Sequence, residues 1–219
     1  VEKLEDEARK AEEERLKLAR ELTQKGGTAD DADKELVARE LAKLPKATLE
    51  QMKADGTKVI ACRGSVTDHA SSLRGVQPRG WAPGDTWDIV PGMYDPNANE
   101  VVVATTGHGT PAGAHVPVTG EGHGSANLAV HEALHAVDHN RGGTARSAGA
   151  DFNTARTADL PNLGTYETQA GSAGQEETWA ESGARYYGGG GGTTNLDGYW
   201  RDHPPGAPPA ATGAAGGGP

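Results

Sequence analysis

The chain has 219 residues, of which 35% are hydrophobic and 32 are glycines, and its formal net charge is −10. This length suits one compact domain with appendages. The negative charge argues against a nucleic acid partner, because phosphate binding requires a basic surface. We also expect no membrane span, since every apolar run is shorter than the ~20 residues that a membrane helix needs. The sequence contains no apparent signal peptide.

Residues 1–44 are predicted to form a charged helical extension or linker. Apolar residues recur at spacings of three and four from Leu4 to Leu22, which predicts an amphipathic helix over residues 1–24. A second helix is expected from about Asp31 to Lys43, because the following Pro45 prevents its continuation. The simplest interpretation is a solvated helical hairpin. The alternative is an arm that binds a larger parent or delivery protein.

A change of composition after Leu44 marks the start of the main domain, which we assign to residues 45–203. We predict a helix over 46–54, a strand over 57–62, an ordered Trp-rich loop over 75–99 and a strand over 100–106. The Val101–Val103 segment is a candidate edge strand, to which a peptide would add as a further strand. Residues 204–219 are rich in Pro, Gly and Ala and are expected to be a disordered tail.

The most informative segment is a predicted helix over residues 125–139, with Ser125 as its N-cap. It carries His131-Glu132-Ala133-Leu134-His135. Histidines four residues apart on a helix are separated by about 40° and ~6 Å, so both rings can reach one Zn²⁺ ion. Glu132 can then take a proton from a metal-bound water. The alternative is two ordinary histidines on a core helix.

The third metal ligand is less evident from spacing. Arg141 occupies the place where a metzincin has a histidine, and His139 lies ~12 Å along the helix from His131. Asp197 follows Gly192-Thr193 in a segment that resembles the Gly-Thr-x-Asp pattern of an aspartate ligand. Asp197 does not occupy the position that this pattern gives to the aspartate. The remaining candidates lie on a helix predicted from Gly174 to Tyr187.

That helix offers three glutamates, Glu176, Glu177 and Glu181. Glu177 and Glu181 are about 40° apart around the axis, whereas Glu176 is rotated by about 100° from Glu177. One carboxylate on the metal and a second behind a histidine ring would fit this pair.

The segment from His131 to Asp138, followed by Glu177-Thr178-Trp179-Ala180-Glu181, resembles the anthrax lethal factor-like metallopeptidases. These are gluzincins that include the Pro-Pro endopeptidases. The resemblance extends over about residues 44–188. It implies a zincin-like α+β fold, with a small mixed sheet packed on the motif helix and on a C-terminal glutamate helix. It also implies cleavage of a protein or peptide substrate, often by a secreted toxin or by an effector delivered into a target cell.

The resemblance assigns roles to individual residues. The implied zinc ligands are His131, His135 and Glu177. Glu132 would be the general base, and Glu181 would support a ligating histidine from behind. The family also has an oxyanion-stabilising tyrosine seven residues before the ligand glutamate. Ala170 stands there in this chain, and the nearest upstream tyrosine is Tyr166. Tyr166 is therefore the candidate, and an exposed loop tyrosine is the alternative.

Three hypotheses follow from these patterns. The first is a zinc endopeptidase with Glu132 as its general base. The second is a non-catalytic binding domain that uses zinc only for stability, which would need a fourth protein ligand and no Glu132. The third is a zinc hydrolase that acts on a non-peptide amide. The presence of Glu132 favours an enzyme.

Overall fold

A computed structural model describes residues 1–107 and 112–206. Its helices are α1 (Glu2–Leu22), α2 (Asp31–Leu41), α3 (Lys46–Ala54), α4 (Leu128–His139), α5 (Ala150–Asp159), α6 (Gly171–Gly188) and α7 (Thr194–Asp202). Its strands are β1 (Thr23–Lys25), β2 (Lys58–Arg63), β3 (Gly92–Asp95) and β4 (Glu100–Thr105). Short 3₁₀ turns connect several of these elements. The predicted α+β class is confirmed.

The four strands form one mixed sheet in the order β1-β2-β4-β3. β1, β2 and β4 run parallel, and β3 pairs antiparallel with β4, with Gly92 opposite Val103. The expectation that Val101–Val103 forms a sheet edge is therefore wrong, because β4 is hydrogen-bonded on both sides. β3 is the outer strand at that end, and the loop prediction over residues 75–99 missed it.

The two faces of the sheet pack against different parts of the chain, because successive side chains of a strand point to opposite faces. Val59 and Val103 point into the main core, which is shared with the helices. Ile60 and Val102 point the other way and pack with Val66 and other residues of the segment 64–93. The sheet is thus covered by helices on one face and by a largely irregular segment on the other.

The N-terminal helices are part of the main core, in contrast to the expected boundary at residue 44. Leu22, Val37 and Leu41 are buried in the cluster that also contains residues of α4 and α6. Between α1 and α2, β1 supplies the first strand of the sheet, with Thr23 opposite Val59. The first half of α1 is mostly exposed. Residues 19–44 therefore complete the domain rather than extend it.

Two further helices were missed by the sequence patterns. α5 lies in the segment 143–172, for which no helix was predicted, and Phe152 is its main apolar contribution to the core. α7 buries Leu196 and Trp200, which are one turn apart. Trp200 packs edge-on against Trp179 of α6, with ring centroids 4.6 Å apart. This aromatic contact ties α7 to α6.

The predicted disordered tail falls largely on residues 207–219, which lie outside the described residues. Its first residues are packed, since Pro205 is buried and its carbonyl oxygen accepts a hydrogen bond from Thr48. Within residues 1–107 and 112–206, the helices are all too short or too polar to cross a membrane.

Candidate metal centre and cleft

Helix α4 is placed by its caps and by its apolar face. The Asn127 side chain accepts a hydrogen bond from the Val130 N–H at 3.0 Å, so Asn127 rather than Ser125 is the N-cap. The apolar positions Val130, Leu134 and Val137 are buried in the main core. This burial turns the polar positions of the helix towards the surface cleft.

Helix α6 lies close against α4 because Gly183 faces it. A Cβ atom at Gly183 would come within 2.2 Å of Leu134 Cδ1. The absence of a side chain lets the two helices approach, and this approach brings the glutamates of α6 to the histidines of α4.

Three side chains converge where the helices meet. The Nε2 atoms of His131 and His135 are 3.1 Å apart. One carboxylate oxygen of Glu177 lies 3.5 Å from His131 Nε2, and the other lies 3.5 Å from His135 Nε2. Among the described residues, these three form the group of His, Cys, Asp and Glu donors close enough to hold a metal ion. Glu176, His139 and Asp197 are outside this group.

The donor spacing fits zinc. Four ligands at ~2.0–2.1 Å in a tetrahedron are about 3.4 Å from one another. The measured separations of 3.1, 3.5 and 3.5 Å bracket that value. Two imidazoles and one carboxylate also match the donor types of a catalytic zinc site, which keeps its fourth position open.

Glu181 supports the first histidine from behind. Its Oε2 lies 2.8 Å from His131 Nδ1, and its Oε1 accepts a hydrogen bond from the Ala126 N–H at 2.9 Å. A carboxylate at Nδ1 orients the ring and keeps Nε2 directed at the other donors. The structure thus places Glu181 where the resemblance expects a supporting residue.

His131 and Glu177 shift each other's pKa in opposite directions. Burial alone would lower the pKa of His131, but its hydrogen bonds to Glu177 and Glu181 outweigh burial and raise the pKa above its usual value. Burial would raise the pKa of Glu177, yet its contacts with His131 and His135 hold that pKa well below the usual range. The metal-free site therefore favours a proton on His131, and metal binding must release it.

Two cavities meet beside the triad of His131, His135 and Glu177 and form one cleft. Their volumes are about 590 Å³ and about 420 Å³, and both are lined by His131, Glu132 and Glu177. Gly92 of β3 lines both as well, and a Cβ there would crowd Leu128 and Glu132. The missing side chain lets β3 lie directly over α4, so the cleft runs beside the outer strand.

Tyr166 lies in a turn before α6 and lines the smaller cavity together with Glu132. Tyr166 is 70% exposed. His123 lines the same cavity, with its Nε2 2.7 Å from the Pro117 carbonyl oxygen. Glu176 lines the larger cavity. His108 lies outside the described residues.

The sequence patterns missed two features of the cleft. Trp81 of the Gly- and Pro-rich loop lines both cavities and is 37% exposed, so it lies on the rim rather than inside the core. Arg185 and Glu167 form a paired cation and anion at the wall of the smaller cavity. They are eighteen residues apart in different kinds of segment, and no sequence period connects them.

This arrangement agrees with the family to which the chain belongs. The model of the family "Anthrax toxin lethal factor, N- and C-terminal domain" matches residues 24–191. The match begins within β1 and therefore includes α2, whose Val37 and Leu41 pack into the main core. The chain is a member of this family, as its motif residues indicated.

Individual relatives are Pro-Pro endopeptidases. The chain is 34% identical over 115 residues to one from Paenibacillus alvei, across 51% of this chain and 48% of the relative. It is 31% identical over 116 residues to one from Clostridioides difficile, across 52% and 47%. The chain thus matches about half the length of these relatives. The structure of the Pro-Pro endopeptidase PPEP-2 from Paenibacillus alvei superposes with a TM-score of 0.61 at 26% identity, covering 86% of this chain and 95% of that one.

Proposed function

We propose that this chain is a zinc-dependent endopeptidase with Glu132 as its general base. The observation that carries the proposal is the convergence of two imidazoles and one carboxylate at zinc spacing beside Glu132 in an open cleft. Family membership and the names of the relatives support the same activity.

His131, His135 and Glu177 would hold the ion, and a bound Zn²⁺ would supply a water of lowered pKa and polarise the substrate carbonyl. Glu132 accepts the proton from the water that attacks the carbonyl carbon. It then donates that proton to the amine that leaves as the C–N bond breaks. Glu181 keeps the His131 ring in its orientation throughout.

Tyr166 is the proposed donor to the oxyanion that forms when the carbonyl carbon becomes tetrahedral. Its place on the wall of the smaller cavity, which Glu132 also lines, supports this role. A donor aimed at the developing charge contributes typically ~10²–10³-fold in rate.

The substrate is proposed to lie along β3 rather than along β4. β3 is the outer strand of the sheet and Gly92 borders both cavities. An extended peptide can pair with the backbone of such a strand, which places its scissile bond over α4. Action as a secreted enzyme or a delivered toxin-like effector belongs to the same proposal and rests on the family resemblance.

Cleavage of a peptide library tests the proposed activity. Because the relatives carry the name Pro-Pro endopeptidase, we expect peptides with two consecutive prolines to be cut, and matched peptides with two alanines to be cut more slowly. Mass spectrometry of the products identifies the bond. If the protein binds one zinc ion and cleaves none of these peptides, a structural zinc site or a hydrolase of non-peptide amides becomes the better account.

A further inference from the structure

Glu167 follows Tyr166 in the chain and is almost fully buried, with 3% of its surface exposed. Its Oε1 accepts a hydrogen bond from Arg185 Nη1 at 2.8 Å, and its Oε2 accepts one from Nη2 at 2.7 Å. The Gly164 N–H donates to Oε2 at 3.0 Å. Two parallel bonds between a guanidinium and a carboxylate fix direction as well as distance. The pair therefore sets the orientation of the turn.

The backbone of the same turn is also held. The Glu167 carbonyl oxygen accepts hydrogen bonds from Arg156 Nη2 at 2.6 Å and from Thr178 Oγ1 at 3.0 Å. Thr178 is the residue after Glu177 on α6. The turn is thus joined to α6 at two places, one beside the proposed metal ligand and one about two helical turns further along.

Arg185 also faces the metal centre. Its Nε lies 3.8 Å from Oε1 of Glu181, the residue that contacts His131 Nδ1. The guanidinium thus lies between the carboxylate of the tyrosine turn and the carboxylate that supports the histidine.

We propose that the Glu167–Arg185 pair is a positioning device that fixes Tyr166 over the cleft relative to the Glu177–Glu181 face of α6. The inference rests on the proposed function, since it concerns the reach of Tyr166 to the reacting carbonyl. The exposed Tyr166 side chain has little packing to hold it, so its direction depends on the backbone of the turn. A displacement of about 1 Å can cost ~10²-fold in rate.

The test compares Glu167→Gln and Arg185→Lys with the wild type. Glu167→Gln keeps the shape and removes the charge, whereas Arg185→Lys keeps the charge and removes the two-pronged geometry. Each should lower kcat about tenfold or more with KM little changed and zinc content unaltered. The matched control is Glu35→Gln, which breaks a similar pair with Arg20 (2.9 and 2.6 Å) on α1 and α2 and should leave kcat unchanged.

The decisive comparison repeats Glu167→Gln in a Tyr166→Phe background. If the pair acts through Tyr166, removing the hydroxyl first should abolish the effect of Glu167→Gln on kcat. Equal losses in both backgrounds would overturn the inference, because a purely structural pair weakens the enzyme whether or not the hydroxyl is present. Should Glu167→Gln fail to fold, Arg185→Lys is carried through the same comparison.

Two other results would also overturn the inference. One is an unchanged kcat in Glu167→Gln, and the other is an unchanged kcat in Tyr166→Phe. An unchanged kcat in Tyr166→Phe would also withdraw the proposed oxyanion role of Tyr166. Neither result affects the proposed zinc peptidase activity with Glu132 as general base, which fails separately if Glu132→Gln retains full activity.

Discussion

Replacing Glu132 by Gln should lower kcat by ~10²–10⁴-fold while zinc binding is retained, because general base catalysis is worth about that much. Glu132 lines both cavities beside the three converging donors but is not one of them. The amide keeps the size of the side chain and cannot accept the proton. Steady-state cleavage of a peptide substrate and elemental analysis of the same sample check both parts.

The control for this variant is Glu50→Gln on α3. Glu50 makes an exposed contact of 3.9 Å with Lys46 and lines neither cavity, so its loss should leave turnover unchanged. Wild-type turnover in Glu132→Gln with zinc bound would remove Glu132 from the mechanism and revive the structural-zinc hypothesis.

The second large effect is expected at the α6 glutamates. Glu177→Ala should lose zinc, because it removes the donor that lies 3.5 Å from each histidine Nε2. Glu181→Ala should weaken zinc affinity or activity by ~10–100-fold, as the loss of a carboxylate behind a ligating histidine commonly does. Glu176→Ala, a neighbouring glutamate outside the donor group, should bind zinc like the wild type. Competition with a chromogenic chelator measures all three affinities.

The order of these three variants carries the ligand assignment. Loss of zinc in Glu176→Ala together with full binding in Glu177→Ala would show that α6 turns Glu176, and not Glu177, towards the two histidines. The assignment of Glu177 as the metal ligand would then be withdrawn.

Local patterns were sufficient for the elements that carry the triad. The motif helix was expected over residues 125–139 and extends from Leu128 to His139. The glutamate helix was expected from Gly174 to Tyr187 and extends from Gly171 to Gly188. Both have a helical period of apolar residues and glycines near their ends. The shared face of Glu177 and Glu181 also follows from helix geometry alone.

The remaining structure depends on contacts between distant segments. β1 has only three residues, and its pairing with β2 rather than its own composition makes it a strand. Sheet order is likewise not encoded in a Val-rich run, so β4 could be recognised as a strand but not as an inner one. The Glu167–Arg185 pair forms because the turn packs back onto α6, which no local pattern indicates.

The most direct test of zinc-dependent peptidase activity is metal analysis of the folded chain, purified without added metal, combined with a cleavage assay. We expect one zinc ion per chain, loss of both zinc and activity on treatment with a chelator, and recovery of both when zinc is returned. A folded protein that cleaves peptides without zinc, and whose activity a chelator does not change, would contradict the account.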